Sequence, residues 1–188
     1  MKIIKSLATG ALIAATAISF AAHAEQGEPQ GFWTTPTIQG YGPIHFLPDA
    51  AFQPQADHTY KIVFALTQGS KTPDAVNPAL DHVARTVNLY VAAGVPLSHL
   101  KFVAVASGAA TSLALDDAHY RVAYGVANPN LPLIAELKKA GVTVAVCGQA
   151  VAEHHFSYDS IASDVTLALS GLTTVTTLES QGYGLMPL

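Results

Sequence analysis

The sequence predicts an α/β protein, a three-layer sandwich in which a mostly parallel sheet of about five strands carries helices on both faces. Three observations predict it. Short β-branched apolar runs recur at 61–67, 102–106, 141–147 and 164–169 and end in loop residues. Between them lie stretches with helical spacing, opened by Asn or Pro and closed by Gly. Half of the 188 residues are hydrophobic, enough for one sizeable core. Strands separated by helices require right-handed crossovers, and hence a parallel sheet covered on both faces.

The first 24 residues read as an address. Met1-Lys2-Ile3-Ile4-Lys5 is basic, Leu7 to Phe20 is an uncharged apolar run, and Ala22-His23-Ala24 has the small-x-small pattern of a cleavage site. Cleavage after Ala24 and a periplasmic location are expected. The run is too short to span a bilayer comfortably and lacks stop-transfer charges, so no stable membrane anchor is expected after cleavage. The net charge of −4 becomes −6 once Lys2 and Lys5 leave, which argues against nucleic acid or an anionic membrane as partner.

Residues 25–58 form a second unit of organisation. Pro29, Pro36, Pro43, Pro48 and Pro54, with four glycines among them, break any helix or central strand. Phe32, Trp33, Tyr41, Ile44, Phe46, Leu47 and Phe52 are too many large apolar groups for a solvated tail. The expectation is an extended arm laid over a surface, either that of its own domain or that of a neighbouring subunit.

The α/β domain, 59–188, follows. Lys61 to Thr67 is the first strand, left by the loop Gln68-Gly69-Ser70. Asn77 offers an N-cap with Pro78 at the first helical position. Leu80, Val83, Ala84, Val87 and Val91 place one apolar stripe against the sheet, and Gly94 closes that helix before Pro96. Phe102 to Ala106 is the second strand, left by Ser107-Gly108. A helix over 114–125 carries Asp116, Asp117, His119 and Tyr120 near its start, read as acids placed on the helix dipole. Asn130 is expected to cap a helix with Leu133, Ile134 and Leu137 on its buried face, stopped by Gly141. A fourth strand at 164–169, a helix at 171–179 and a last strand at 183–186 complete the domain.

The third strand, Gly141 to Cys147, carries at its carboxyl end the only cysteine of the chain. Ligands of open α/β sheets meet the loops that leave the carboxyl ends of strands, so Cys147 is aimed at that rim. Gly148 permits a sharp turn and Gln149 to His155 is compatible with a short helix, whose first N–H groups would favour a thiolate. The bland alternative is a small buried hydrophobe closing a strand. One cysteine excludes an intramolecular disulfide and a dithiol mechanism.

The order Lys61-Ile62-Val63-Phe64, Asn88-Leu89-Tyr90, Ala93-Gly94-Val95-Pro96, Asn128-Pro129, Leu137-Lys138-Lys139-Ala140-Gly141-Val142, Val146-Cys147-Gly148-Gln149 and Gln181-Gly182-Tyr183 resembles the DsrE/DsrF-like family, over about 60–188. The resemblance implies a compact α/β sandwich that assembles into homotrimers or homohexamers, with ligand-facing loops near subunit boundaries. In sulfur-relay members a cysteine at the end of this strand carries sulfur as a persulfide, and Cys147 stands at that position. The implied function is therefore sulfane-sulfur carriage or transfer between an unidentified donor and acceptor. The well-understood relay members are cytoplasmic, whereas this chain carries an export pattern.

Other residues complete the candidate site. Gly148, Gln149, Gln68, Gly69, Ser107 and Gly108 leave strands and can offer backbone donors around an anionic sulfur. His154 and His155 follow Cys147 by seven and eight residues, so an imidazole could face the thiol or join it as a soft copper or zinc ligand; adjacent histidines on a solvated helix end are the plain alternative. Their spacing matches no standard zinc pattern. No dinucleotide fingerprint, P-loop or G-x-S-x-G elbow is present, and no cofactor is expected. A non-catalytic oligomeric binding module, with Cys147 as packing only, is the alternative from another class.

Overall fold

The computed structural model describes residues 28–188. The leader, its cleavage after Ala24 and residues 25–27 of the arm lie outside the described residues. The α/β domain runs β1 (Tyr60–Leu66), α1 (Pro78–Ala92), β2 (Leu100–Ala106), α2 (Asp117–Tyr124), α3 (Leu131–Lys139), β3 (Thr143–Cys147), α4 (Gly148–Glu153), β4 (Thr166–Ala168), α5 (Gly171–Ser180) and β5 (Gly184–Pro187). The five strands form one sheet in the order β4-β3-β2-β1-β5, and every pairing is parallel. All carboxyl ends therefore share one rim. Leu66 pairs with Ala106, Ala106 with Val146, and Cys147 with Ala168, so the loops after β1, β2, β3 and β4 leave the sheet side by side.

Alternation along the strands divides the interior into two layers. Phe64, Leu66, Phe102, Ala104, Val144 and Val146 pack in one core with Leu80, Val83 and Val87 of α1 and Leu133, Ile134 and Leu137 of α3. Ala65, Val105 and Cys147 turn the other way, toward Leu172 and Val175 of α5. That second face is thinly covered: none of α5 is fully buried, and Leu172 is 82% exposed.

Local chemistry sets the helix ends. Asn77 accepts the Ala79 and Leu80 N–H groups at 3.0 and 3.1 Å, as its place before Pro78 predicts. Asn130 departs from expectation, because its side chain makes no cap bond. Its Oδ1 instead accepts the Asn77 N–H at 2.7 Å, while its Nδ2 donates to Asn128 Oδ1 at 3.0 Å. Asn128 Nδ2 donates in turn to the carbonyls of Leu113 and Leu115. Buried backbone groups from distant loops need these partners more than the helix end does. The result is a chain of three buried asparagines that ties the loops of the carboxyl rim together.

The helix expected over 114–125 begins later, at Asp117. Ala114 accepts a backbone bond from Ala162 and Leu115 bridges Ile161, so tertiary pairing removes these residues from the helix, and 108–114 winds as 3-10 turns. Asp116 is the N-cap, accepting the His119 N–H at 2.8 Å, and Tyr120 donates its hydroxyl to the Pro73 carbonyl. The polar cluster is thus a helix start.

The arm lies on α1 of its own chain. Ile38 and Ile44 are buried, and Asn88 of α1 fastens the segment by accepting the N–H groups of Thr37 and Ile38 and donating to the carbonyls of Tyr41 and Gly42. Gly42 has φ +56°, and a Cβ there would fall 2.1 Å from the Arg85 nitrogen, so only glycine fits.

Candidate functional site

Cys147 closes β3 and is the N-cap of α4. Its Sγ accepts the Ala150 N–H at 3.4 Å. Gly148 makes the turn because a Cβ there would meet the Ala168 carbonyl at 2.8 Å. The start of α5 approaches from the other side. Ser170 caps that helix through the Leu172 N–H, and a Cβ on Gly171 would stand 3.7 Å from the Cys147 Cβ and 3.6 Å from the Ser107 Cβ. These are ordinary contact distances, so the start of α5 packs directly against the Cys147 side chain.

The thiol is 6% exposed. Burial pushes its pKa up, but the N–H groups of Gly171, Ala150 and Gln149 and the Ser170 hydroxyl outweigh that effect and hold it below the ordinary thiol value. Donors from two helices thus stabilise sulfur as an anion.

The sulfur faces a cavity of about 610 Å³ between the sheet and α5. Ala65, Val105 and Cys147 form its floor, with Thr67, Ser107 and Gly108 from the loops after β1 and β2. Gln149, Ala150 and Glu153 of α4 close one side. Ser170, Gly171, Leu172, Val175 and Thr176 close the other, and Leu185 of β5 completes it. Small strand residues leave this space, since Ala65 offers little bulk where β1 passes beneath α5.

Of the residues that the sequence suggested, Gln149, Ser107 and Gly108 share the cavity with Cys147, and Gly148 underlies it. Gln149 also donates its Nε2 to the Leu169 carbonyl at 3.1 Å, fastening α4 to the end of β4. Gln68 and Gly69 do not line the cavity. The Gln68 carbonyl accepts from Asn77 Nδ2 at 2.7 Å, and Gly69 passes close to Ala109, where a Cβ would meet its carbonyl at 3.3 Å. His154 turns to the rim: Nε2 donates to the Gly108 carbonyl at 2.9 Å, and its ring stacks on Phe156. His155 is exposed, with φ 57° where the chain leaves α4. Neither histidine lines the cavity, and among the described residues no group of three or more His, Cys, Asp or Glu could hold a metal ion.

Sequence reasoning missed Thr67, Glu153, Ser170, Gly171 and Leu172. The pair Ser170-Gly171, a capping serine and a glycine just after a strand, was a usable signal, because the loop after β4 leaves by the same rim as the loop after β3.

Fold and site together define an all-parallel α/β protein whose single thiol stands at a strand end, backed by peptide N–H groups and facing a cavity. The family model of the DsrE/DsrF-like family matches residues 61–188, and the chain belongs to that family. At the level of the family, membership points to sulfur relay. Among solved structures the chain resembles the protein of unknown function MTH1491 from Methanobacterium thermoautotrophicum, with a TM-score of 0.51 and 16% identity over 69% of this chain and 99% of that one. That likeness is one of fold. No curated protein matches the chain.

Proposed function

We propose that this protein is an exported sulfur carrier that holds sulfane sulfur as a persulfide on Cys147. The observation that carries the reading is the set of donors around the sulfur. A thiolate attacks a sulfane sulfur, the bond to the donor's own sulfur breaks, and the donor leaves as a thiolate. The N–H groups of Gly171, Ala150 and Gln149 serve both the attacking thiolate and the persulfide anion that replaces it. A second thiolate then takes the outer sulfur and returns Cys147 to its starting state. With no other cysteine in the chain, that acceptor belongs to another molecule.

Assembly into a homotrimer or homohexamer is part of the proposal. Leu169, Leu172 and Leu185 are 74%, 82% and 45% exposed. These leucines stand at or beside the thinly covered face, the kind of surface that a second copy buries. Export to the periplasm rests on the leader pattern of residues 1–24.

Intact mass spectrometry of protein purified from the periplasm without reductant tests the reading. A reducible addition of one or more sulfur atoms confined to Cys147 is expected. A thiol that remains unmodified and resists labelling in the folded state would sink it in favour of the binding module.

A further inference from the structure

We propose that the Cys147 cavity selects uncharged, apolar organic sulfur compounds and excludes anionic ones, with Glu153 as a specificity-determining residue. The inference rests on the carrier reading and names the class of partner that this site takes.

The lining carries the argument. Ala65, Val105, Leu172, Val175 and Leu185 give apolar walls, and the hydroxyls of Thr67, Ser107, Ser170 and Thr176 are neutral polar groups set among them, with the Gln149 amide tied to the Leu169 carbonyl. No Lys, Arg or His lines the space, and its one charged group besides the thiolate is the Glu153 carboxylate. An anion entering the cavity would exchange part of its water for apolar walls and meet two like charges with no cation in the lining to offset them. The peptide N–H groups that favour an anion are already directed at Cys147 itself. A volume of about 610 Å³ suits a small molecule with an alkyl or aryl group. Inorganic thiosulfate, sulfite and peptide thiols bearing carboxylates fall outside the class; a hydropersulfide with an apolar substituent R falls within it. The step is Cys147–S⁻ plus R–S–SH giving Cys147–S–SH plus R–S⁻: the thiolate attacks the outer sulfur, the S–S bond of the donor breaks, and its electron pair leaves with R–S⁻.

Thiosulfonate reagents read this selectivity without requiring a persulfide. The folded protein is treated with benzyl methanethiosulfonate, which is neutral and apolar, and with 2-sulfonatoethyl methanethiosulfonate, which is anionic. In each case the Cys147 thiolate attacks the sulfenyl sulfur, forms a mixed disulfide and releases methanesulfinate. The ratio of the two rates is compared with that of the same chain unfolded in urea. A ratio at least about tenfold higher in the folded protein is expected, since the apolar walls and the Glu153 carboxylate both act against the anionic reagent. Glu153→Gln, an exposed change, is expected to raise the anionic rate about threefold and to leave the benzyl rate within about twofold. Equal ratios, a faster anionic reagent, or a cavity filled by a second copy so that neither reagent reacts would overturn the proposal. An anionic rate unmoved by Glu153→Gln would overturn the role of that residue. Selectivity without persulfide formation from any sulfane donor would instead defeat the carrier reading and leave the selectivity of the cavity standing.

Discussion

The backbone N–H of Gly171, at the start of the helix that follows β4, is among the groups that hold the Cys147 thiol pKa down, and residue 171 packs against the Cys147 side chain. The relationship suggests a substitution that removes this donor and sets an apolar ring carbon in its place. Gly171 is the first residue of α5, a position where proline is well tolerated, and Ser170 before it has the extended backbone that proline requires. Gly171→Pro should leave the helix folded while raising the Cys147 pKa. The pH profile of iodoacetamide labelling should move upward, and the rate at pH 7 should fall about two- to tenfold. An unshifted profile in a folded variant would show that this N–H does not tune the thiol.

Asn88 makes four hydrogen bonds to the arm and is fully buried. Truncation leaves backbone groups of residues 37–42 without partners. Asn88→Ala should cost about 2–4 kcal/mol in denaturant unfolding. The variant should also become open to proteolysis between residues 28 and 58 while β1 to β5 stay protected. Uniform loss of protection would mean that the arm and the domain unfold as one.

Leu172 lies at the mouth of the cavity with 82% of its surface free. If the thin face joins copies of the chain, Leu172→Asp should lower the mass found by analytical ultracentrifugation to that of the monomer, with the circular dichroism spectrum unchanged. An unaltered assembly would place the interface elsewhere.

The start of α2 should be sensitive to acid. The His119 N–H holds the Asp116 carboxyl below its ordinary value, and the Arg121 guanidinium does the same for Asp117, helped by the Asn128 N–H. Both groups have depressed pKa values in the folded protein, so their stabilisation is complete above the ordinary value near 3.8 and is lost as pH falls through the folded values. Asp116→Ala should therefore cost about 1 kcal/mol at neutral pH. The difference from the unaltered protein should shrink as the pH falls below the ordinary carboxylate value of 3.8, where the folded carboxylate too is progressively protonated. A difference that persists there would assign the effect to packing.

Strand and helix periodicity made the order of elements legible, because apolar β-branched runs and a stripe such as Leu80, Val83, Val87 reflect burial directly. What failed to show was governed by contacts across the chain. Nothing local to Asn130 says that its amide serves Asn77 and Asn128, and nothing near Ala114 says that Ala162 takes its carbonyl. At the site, Cys147 was visible as a lone thiol at a strand end, and Ser107, Gly108 and Gln149 as loop residues on the same rim. Gly171 was marked only by its place after the capping Ser170 on that rim, and Glu153 gains meaning only from a cavity in which no other Asp, Glu, Lys, Arg or His lines the wall.

The sheet order sets the timing of folding. β1 sits between β2 and β5, and Ile62 pairs with Gly184, so one of the earliest segments of the domain waits on one of its latest to cover its edge. Until residues 184–187 arrive, β1 presents a row of unpaired backbone groups, and the floor of the cavity lacks Leu185. Closure across so long a stretch of chain is slow. A thiol set in such a pocket acquires its lowered pKa and its walls only when α5 and β5 are in place, and until then residue 147 is an ordinary thiol.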